Sequence, residues 1–248
     1  MLLFTLAWCW ARACNNYSLV DAFWAAGLLI MGLFFLLALS PWNGSKLLIA
    51  LLFLCWSGRL TWHLSYRIAK AHPHEDRRYE QLRLVWKEKE ALYSFLFFQA
   101  QAGSVILLTI PFFYIGKNPH PSWSRLEIAG CFLLLLGIFG EAIADHQLAS
   151  FKKRTSSPKI VCEEGLWKYS RHPNYFFEMI IWMSFYLLAS SAPGGWTTLY
   201  APAIIIFLLI KVTGIPPAEA ASLQSKGDAY RKYQEKTSMF IPWFSQKS

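Results

Sequence analysis

The sequence contains few charged residues and none of the common nucleotide or hydrolase motifs. Only 16% of its 248 residues are charged, against roughly 25% in average soluble domains, which argues against an ordinary soluble enzyme. No GxGxxG, GxxxxGK[ST] or GxSxG motif occurs, so a Rossmann-type dinucleotide site, an ATP-driven pump and a serine hydrolase are disfavoured. The five cysteines show no CxxC spacing and the six histidines form no repeated boxes. We therefore expect neither a metal site nor a disulfide framework.

Long apolar runs are abundant instead. Hydrophobic residues make up 55% of the chain and aromatic residues 17%, a composition that excludes intrinsic disorder. Six runs approach or exceed the length of a membrane-spanning helix: 19–39, 47–66, 92–115, 126–148, 175–192 and 196–210. A shorter run, 1–11, predicts a shortened seventh span. Gly137 and Gly140 are expected to serve helix packing. The sequence predicts an all-α polytopic membrane helical bundle that forms a single domain over residues 1–248.

The positive charges predict the orientation of the bundle. The chain has a net charge of +9, and 19 of its 24 Lys and Arg residues fall in 67–90, in 152–171 and from 211 onward. Basic and non-basic loops alternate along the chain, which is typical of membrane proteins whose basic loops face the cytoplasm. We therefore place these three segments and the C-terminus in the cytoplasm and expect no nucleic-acid partner. The segment 67–90 also holds five acidic residues and is expected to form a helix-rich interfacial loop.

Ionisable side chains interrupt the apolar runs, where they are costly and usually functional. All lie toward the cytoplasmic end of their runs: Asp21, Arg59, His63, Glu141, Asp145 and Glu178. An ion pair that only stabilises the bundle, such as Arg59 with Asp21, is the alternative interpretation. Glu141 and Asp145 share one helical face at a spacing of four residues. This acidic pair requires a polar ligand, a basic loop or water.

Basic residues follow this acidic pair within three helical turns, beginning with Lys152, Lys153 and Arg154. Acids and bases at one cytoplasmic opening suit a ligand with phosphates at one end and amide or hydroxyl groups at the other. A nicotinamide dinucleotide has that character. An anionic lipid headgroup would also suit the basic loops, so these residues alone leave both ligands open.

Several segments resemble a known family of membrane enzymes. The segment 165–178 reads GLWKYSRHPNYFFE and resembles the C-terminal signature of the steroid 5-alpha-reductase superfamily, which includes sterol reductases and isoprenylcysteine methyltransferases. Further segments resemble a bacterial branch of largely uncharacterised reductase-like membrane proteins: VDAFW at 20–24, EDRRY at 75–79, ADHQ at 144–147, TGIP at 213–216 and TSMFIPW at 237–243. The similarity runs in order over roughly residues 15–243.

The resemblance implies a bundle that holds NADPH in its cytoplasmic half, over approximately residues 126–243. Asp145 and Lys152 resemble the acidic and basic cofactor contacts of the reductases, and Asn174 is the natural partner of the nicotinamide carboxamide. Glu141 departs from the steroid enzymes, which have an amide-type residue at that position. The predicted cofactor-binding residues are Glu141, Asp145, Lys152, Lys153, Tyr169, Arg171, His172, Asn174, Tyr175, Glu178, Tyr230 and Tyr233.

The catalytic acid is less clearly indicated. The steroid enzymes use a tyrosine and a glutamate on early spans, and this sequence has no clear match to either. His63 or Tyr66 could donate a hydrogen bond to a substrate carbonyl, and Asp21 could orient one of them. We therefore predict Asp21, His63 and Tyr66 as catalytic residues, and Arg59 and Arg67 as substrate-binding residues.

Three functions remain open at this point. The first is an NADPH-dependent reductase that acts on a CH–CH group of an apolar substrate such as a steroid-like, isoprenoid or lipid enone. The second is an S-adenosylmethionine-dependent methyltransferase of the isoprenylcysteine or phospholipid type. The third is a lipid-binding or transport protein without catalysis. The expected partners are an apolar substrate and membrane lipids, with no obligatory protein partner. The expected location is the bacterial inner membrane.

Overall fold

The structure is a computed structural model that describes residues 1–39, 44–119, 123–155, 157 and 159–244. Ten α-helices and no strand occur among these residues, which confirms the predicted all-α fold. The helices are α1 (Leu2–Ala13), α2 (Leu19–Ala38), α3 (Gly44–Ala71), α4 (Arg77–Trp86), α5 (Glu90–Lys117), α6 (Arg125–Arg154), α7 (Pro173–Ser190), α8 (Tyr200–Phe207), α9 (Ile215–Lys226) and α10 (Asp228–Lys236). Short 3₁₀ segments cover Lys87–Lys89, Gly165–Lys168 and Gly195–Leu199, and a π-helical segment covers Leu208–Val212.

Five helical runs among the described residues are long and apolar enough to cross a membrane. They are α2, α3, the run Arg77–Lys117 that ends with α5, α6, and the run Gly195–Lys226 that contains α8 and α9. The predicted span 175–192 forms α7, whose 18 residues are less apolar because Asn174 and Glu178 occupy its first turns. The shortened N-terminal span forms α1, which has 12 residues. The chain is an integral membrane protein with a helical bundle.

The chain divides into two compact units. Unit 1 comprises Met1–Trp123 and Ala192–Gly195, and unit 2 comprises Ser124–Ser191 and Trp196–Ser248. In unit 1, α2 packs against both α3 and α5. Small residues allow this close packing, because a Cβ added to Gly116 in α5 would lie 1.9 Å from the carbonyl oxygen of Phe35 in α2. The predicted interfacial loop contains α4, as expected for a helix-rich segment.

In unit 2, α6 and α7 form the most extensive helix pair. Three glycines of α6 face α7, where an added Cβ would lie within 2.3–2.7 Å of a side chain of α7: Gly130, Gly137 and Gly140. The predicted packing role of Gly137 and Gly140 is therefore confirmed. This close approach sets the polar C-terminal half of α6 beside the first turns of α7.

Candidate functional site

The turn that precedes α7 is anchored to α6. It begins at Gly165, whose φ of 60° is readily adopted by glycine. The backbone N–H of Leu166 donates to Oε1 of Gln147 at 2.9 Å, and the indole Nε1 of Trp167 donates to the carbonyl of Ala144 at 2.9 Å. Both acceptors lie in α6. The segment that carries Arg171, His172 and Asn174 therefore starts from a fixed position.

Four side chains meet around Glu219 of α9, and we call these five residues the Glu219 clamp: Arg171, His172, Glu219, Tyr230 and Gln234. Oε1 of Glu219 lies 3.1 Å from Nε of Arg171 and 2.8 Å from Nε2 of His172, and it accepts a hydrogen bond from the hydroxyl of Tyr230 at 2.8 Å. Its Oε2 accepts from the amide of Gln234. The side chains of Arg171 and Glu219 are only 10% and 13% exposed. The clamp therefore ties the turn before α7 to α9 and α10.

Backbone groups extend the Glu219 clamp to the C-terminal segment. The N–H of Arg171 donates to the carbonyl of Ser238 at 2.8 Å, and the hydroxyl of Ser170 donates to the carbonyl of Phe240 at 2.8 Å. The hydroxyl of Tyr233 donates to the carbonyls of Trp167 and Ser170. These bonds tie the turn to the C-terminal segment, in addition to its contacts with α6.

Burial raises the pKa of Tyr230, and the hydrogen bond to Glu219 and the charge of that carboxylate raise it further. Burial is also the main cause of the raised pKa of Tyr233. Both phenols are therefore protonated at physiological pH and act as hydrogen-bond donors. Their hydroxyls are engaged within the protein, so these predicted cofactor residues hold the turn in place.

Three further predicted cofactor residues lie in the same network. Arg171 and His172 both face Glu219. The ring of Tyr175 stacks on the ring of His172, with centroids 5.4 Å apart and an interplanar angle of 8°. The structure thus brings these residues together, and their contacts position the first turn of α7.

Asn174 and Asp145 meet across the α6–α7 interface. Nδ2 of Asn174 lies 3.4 Å from Oδ1 of Asp145 and donates to it. Oδ1 of Asn174 is buried and has no hydrogen-bond partner among the residues that the structure describes. Because a buried acceptor without a partner is costly, this oxygen is a candidate acceptor for a donor group of a bound ligand. Asn174 is the predicted partner of a carboxamide, and its surroundings suit that role.

Two more acids lie one helical turn from this pair. Glu141 is buried in α6, four residues before Asp145. Glu178 lies four residues after Asn174 in α7, where its Oε1 accepts from the indole Nε1 of Trp182 at 2.9 Å. The C-terminal half of α6 and the first turns of α7 therefore carry three acids and one amide.

The predicted phosphate-binding residues lie at the end of α6. Lys152 and Lys153 are in its last turn and are exposed. Arg154, next to them, forms an ion pair with Glu164. Tyr169 is partly exposed, and its ring contacts that of Phe244 edge to face at 6.3 Å. Lys152 and Lys153 are therefore the basic residues of unit 2 best placed to meet a ligand that enters beside Asp145.

In unit 1, Asp21 is surrounded by the predicted residue Arg67 and by two donors that were not predicted as site residues, Arg78 and Tyr79. Its carboxylate lies 2.8 Å from Nη2 of Arg78 and 3.5 Å from Nη2 of Arg67, and it accepts from the hydroxyl of Tyr79 at 2.6 Å. Arg78 also binds Asp76 at 3.0 Å. The VDAFW and EDRRY segments thus meet at this point. This arrangement supports the alternative interpretation that Asp21 forms an ion pair that stabilises the bundle. Its partners are Arg78 and Arg67, whereas the sequence had suggested Arg59.

The remaining predicted residues lie in α3. His63 and Tyr66 are exposed, and the Tyr66 ring stacks on Trp62 with centroids 6.4 Å apart. Neither has a hydrogen bond to Asp21 within the described part of unit 1. Arg59 is half-buried in the same helix. The structure does not bring His63 or Tyr66 together with Asp21, the residue expected to orient one of them.

Sequence reasoning missed Glu219 and Gln234. A signal for Glu219 was present, because it is the one acidic residue between Glu178 and Asp228. Among the described residues, no group of three or more His, Cys, Asp or Glu side chains could hold a metal ion.

Comparison with known proteins gives a family without an assigned activity. The family model described as "protein of unknown function (DUF1295)" matches residues 7–237. An uncharacterized protein of Schizosaccharomyces pombe is 26% identical over 264 residues, which cover 92% of this chain and 73% of that relative. No solved structure matches the chain significantly.

Proposed function

The chain belongs to the DUF1295 family of proteins of unknown function, and we propose from its own side chains that it is an NADPH-dependent membrane reductase. Its substrate class is an apolar C=C compound, such as a steroid-like, isoprenoid or lipid enone. The cofactor lies beside α6 and α7 of unit 2. The reductase-like sequence segments support this proposal, and the main structural observation behind it is the buried Oδ1 of Asn174.

Asn174 and its neighbours suit a nicotinamide cofactor chemically. A carboxamide offers two N–H donors and one acceptor, and the free Oδ1 of Asn174 can accept from such a donor. Asp145 fixes the Asn174 amide through Nδ2, so that its oxygen is oriented for the ligand. Lys152 and Lys153 are exposed at the end of α6 and supply the positive charge that phosphates require.

The chemistry divides between the cofactor and the chain. The bound cofactor supplies a hydride. Asn174 and Asp145 orient the carboxamide, and the Glu219 clamp holds the first turn of α7 at a fixed position. Pro173 begins this helix, and N–H groups in a first helical turn have no intrahelical acceptor and can donate to a polar ligand.

A reduction of this kind also needs a proton donor beside the substrate carbonyl, which stabilises the negative charge that develops on its oxygen. The residues predicted for this role, His63 and Tyr66, are proposed from the sequence alone. Asp21 is engaged by Arg78 and Tyr79, so in this proposal it anchors α4 to α2.

We further propose that the cofactor site faces the cytoplasm, in a bacterial inner membrane. Seven Lys and Arg residues lie between 67 and 90 and six between 152 and 171, a distribution that favours the cytoplasmic side for both segments. NADPH is available on that side, whereas an apolar substrate reaches the bundle from the lipid.

Ligand-dependent thermal unfolding of the purified full chain tests this proposal. Asn174→Leu removes the acceptor at similar volume, and His146→Gln changes an exposed neighbour of Asp145 as the matched control. We expect NADPH to stabilise the wild type and the control equally. Loss of one hydrogen bond to a buried group, worth about 1.5 kcal/mol, should weaken NADPH binding roughly tenfold in Asn174→Leu.

The wild type should also consume NADPH in the presence of an apolar enone. Absence of any response to NADPH would contradict the proposal. Stabilisation by S-adenosylmethionine in its place would identify a methyltransferase of the related type.

A further inference from the structure

A groove opens on an exposed, apolar side of α6, next to the candidate cofactor site. Its volume is about 460 Å³, and it lies between α6, the Gly165–Lys168 turn and the ring of Phe177 in α7. Gly140 forms part of its wall, and an added Cβ there would lie 2.3 Å from the Phe177 ring. The absence of a side chain at this position in α6 lets the Phe177 ring pack closely and form the floor of the groove.

The groove changes from apolar to polar along its length. Leu136, Phe139 and Ile143 line one end, and all three are exposed. Gln147, Lys168 and Tyr169 line the other end. The helix rises by roughly 16 Å over the eleven steps from Leu136 to Gln147, which is about half of a hydrocarbon core of roughly 30 Å. The groove therefore has the length and the polarity profile of one lipid leaflet.

Exposed aromatic residues mark the polar end as the membrane surface. Trp243 and Phe244 are 69% and 78% exposed. The backbone N–H of Trp243 donates to the carbonyl of Tyr169 at 2.9 Å, and the ring of Phe244 contacts the ring of Tyr169. Trp and other aromatic side chains concentrate at the depth of lipid headgroups. Lys168 therefore lies at the level where a lipid phosphate is found.

Lys168 supplies the charge for such a headgroup. It is exposed and makes no ion pair or hydrogen bond within the described part of the chain. By contrast, Lys236 in the same unit is paired with Glu163. A free cation above an exposed apolar groove is complementary to a molecule with one anionic end and one long apolar end.

We propose that this groove binds one anionic phospholipid of the surrounding leaflet. Its phosphate lies against Lys168 and the hydroxyl of Tyr169, and one acyl chain lies along Leu136, Phe139 and Ile143. The bound lipid stabilises the segment that continues directly into Ser170 and Arg171. Tyr169 is also one of the predicted cofactor-binding residues, but lipid binding at this site requires neither NADPH nor an enone and can be measured without them.

Native mass spectrometry of the full chain with phosphatidylglycerol, and separately with phosphatidylcholine, tests the site. We expect one phosphatidylglycerol per wild-type chain, and roughly tenfold weaker binding in Lys168→Gln, since removing one charge-assisted contact costs about 1.5 kcal/mol. Lys168→Arg should retain the lipid. Lys232→Gln removes an exposed lysine of α10 and should bind as the wild type does.

A second variant tests the contribution of the apolar end of the groove while Lys168 is kept. Ile143→Trp fills the apolar end and keeps Lys168, so it should release the lipid while circular dichroism shows an unchanged helix content. Three results would overturn the proposal. These are equal losses in Lys168→Gln and Lys232→Gln, equal retention of the two lipids, and full retention by Ile143→Trp.

Discussion

Removing the charge of Glu219 is the most informative perturbation of the polar network. Glu219→Gln keeps the size of the side chain and one of its two acceptor oxygens. It leaves the guanidinium of Arg171, now 3.1 Å from a carboxylate oxygen, without a compensating negative charge. Because Arg171 is only 10% exposed, water cannot replace that carboxylate.

The expected cost follows from this burial. Removing one partner of a buried ion pair typically lowers the free energy of unfolding by about 3–5 kcal/mol. For Glu219→Gln we expect a loss of about 3 kcal/mol in the free energy of unfolding. This is the low end of the range, because Arg171 keeps its hydrogen bonds to the carbonyls of Gln234 and Thr237. In chains of this size 1 kcal/mol corresponds to roughly 2–4 °C, so the unfolding midpoint should fall by about 6–12 °C.

Thermal unfolding of the purified chain in detergent measures this change. Glu235→Gln is the matched control, because Glu235 is an exposed glutamate of α10, and its midpoint should stay within about 2 °C of the wild type. A double-mutant cycle with Arg171→Met should give a coupling energy above about 1 kcal/mol. A midpoint of Glu219→Gln equal to that of Glu235→Gln would refute the clamp as a stabilising element.

Three further expectations concern unit 1. Gly116→Ala in α5 should cost about 3 kcal/mol or more, because its Cβ would lie 1.9 Å from a backbone oxygen of α2. Gly103→Ala in the same helix meets no atom within 4 Å and should raise stability by about 0.5–1 kcal/mol; thermal unfolding of both variants distinguishes a packing effect from a helix-propensity effect. Asp21→Asn should lower stability by about 2 kcal/mol through lost charge-assisted bonds and leave NADPH affinity unchanged, as measured by unfolding and by titration. Burial raises the pKa of Asp76, but hydrogen bonds and charge from Arg78 outweigh this effect and lower the pKa overall. The ionised carboxylate therefore stabilises the folded state above about pH 4. This stabilisation is lost as the pH falls through the lowered pKa. Lowering the pH from 5 to 3 should therefore reduce the free energy of unfolding of the wild type more than that of Asp76→Asn. Identical pH profiles of the two proteins would contradict this reasoning.

The helices could be predicted well from the apolar runs. The run 92–115 lies within α5 and the run 126–148 within α6, because length and hydrophobicity alone define a membrane helix. The number of long apolar helices was predicted less well. The first turns of α7 contain Asn174 and Glu178, and these polar residues reflect a site within the helix pair.

The site could be predicted only in part. Asp145 and Asn174 were each predicted to contact the cofactor, and in the structure Nδ2 of Asn174 lies 3.4 Å from Oδ1 of Asp145. Arg171 and His172 face Glu219, which lies more than 45 residues further along the chain. Asp21 is paired with Arg78 across a similar separation. Helical periodicity carries no information about partners on distant helices, so neither network could be found from local spacing.

Mass spectrometry of the nucleotide that co-purifies with the full chain tests the central proposal most directly. We expect NADPH or its oxidised form to be released from the denatured wild-type protein. The same preparation of Asn174→Leu should contain at least tenfold less nucleotide, whereas His146→Gln should contain as much as the wild type. Recovery of S-adenosylmethionine, or of nicotinamide nucleotide in equal amounts from Asn174→Leu, would contradict the proposed cofactor site.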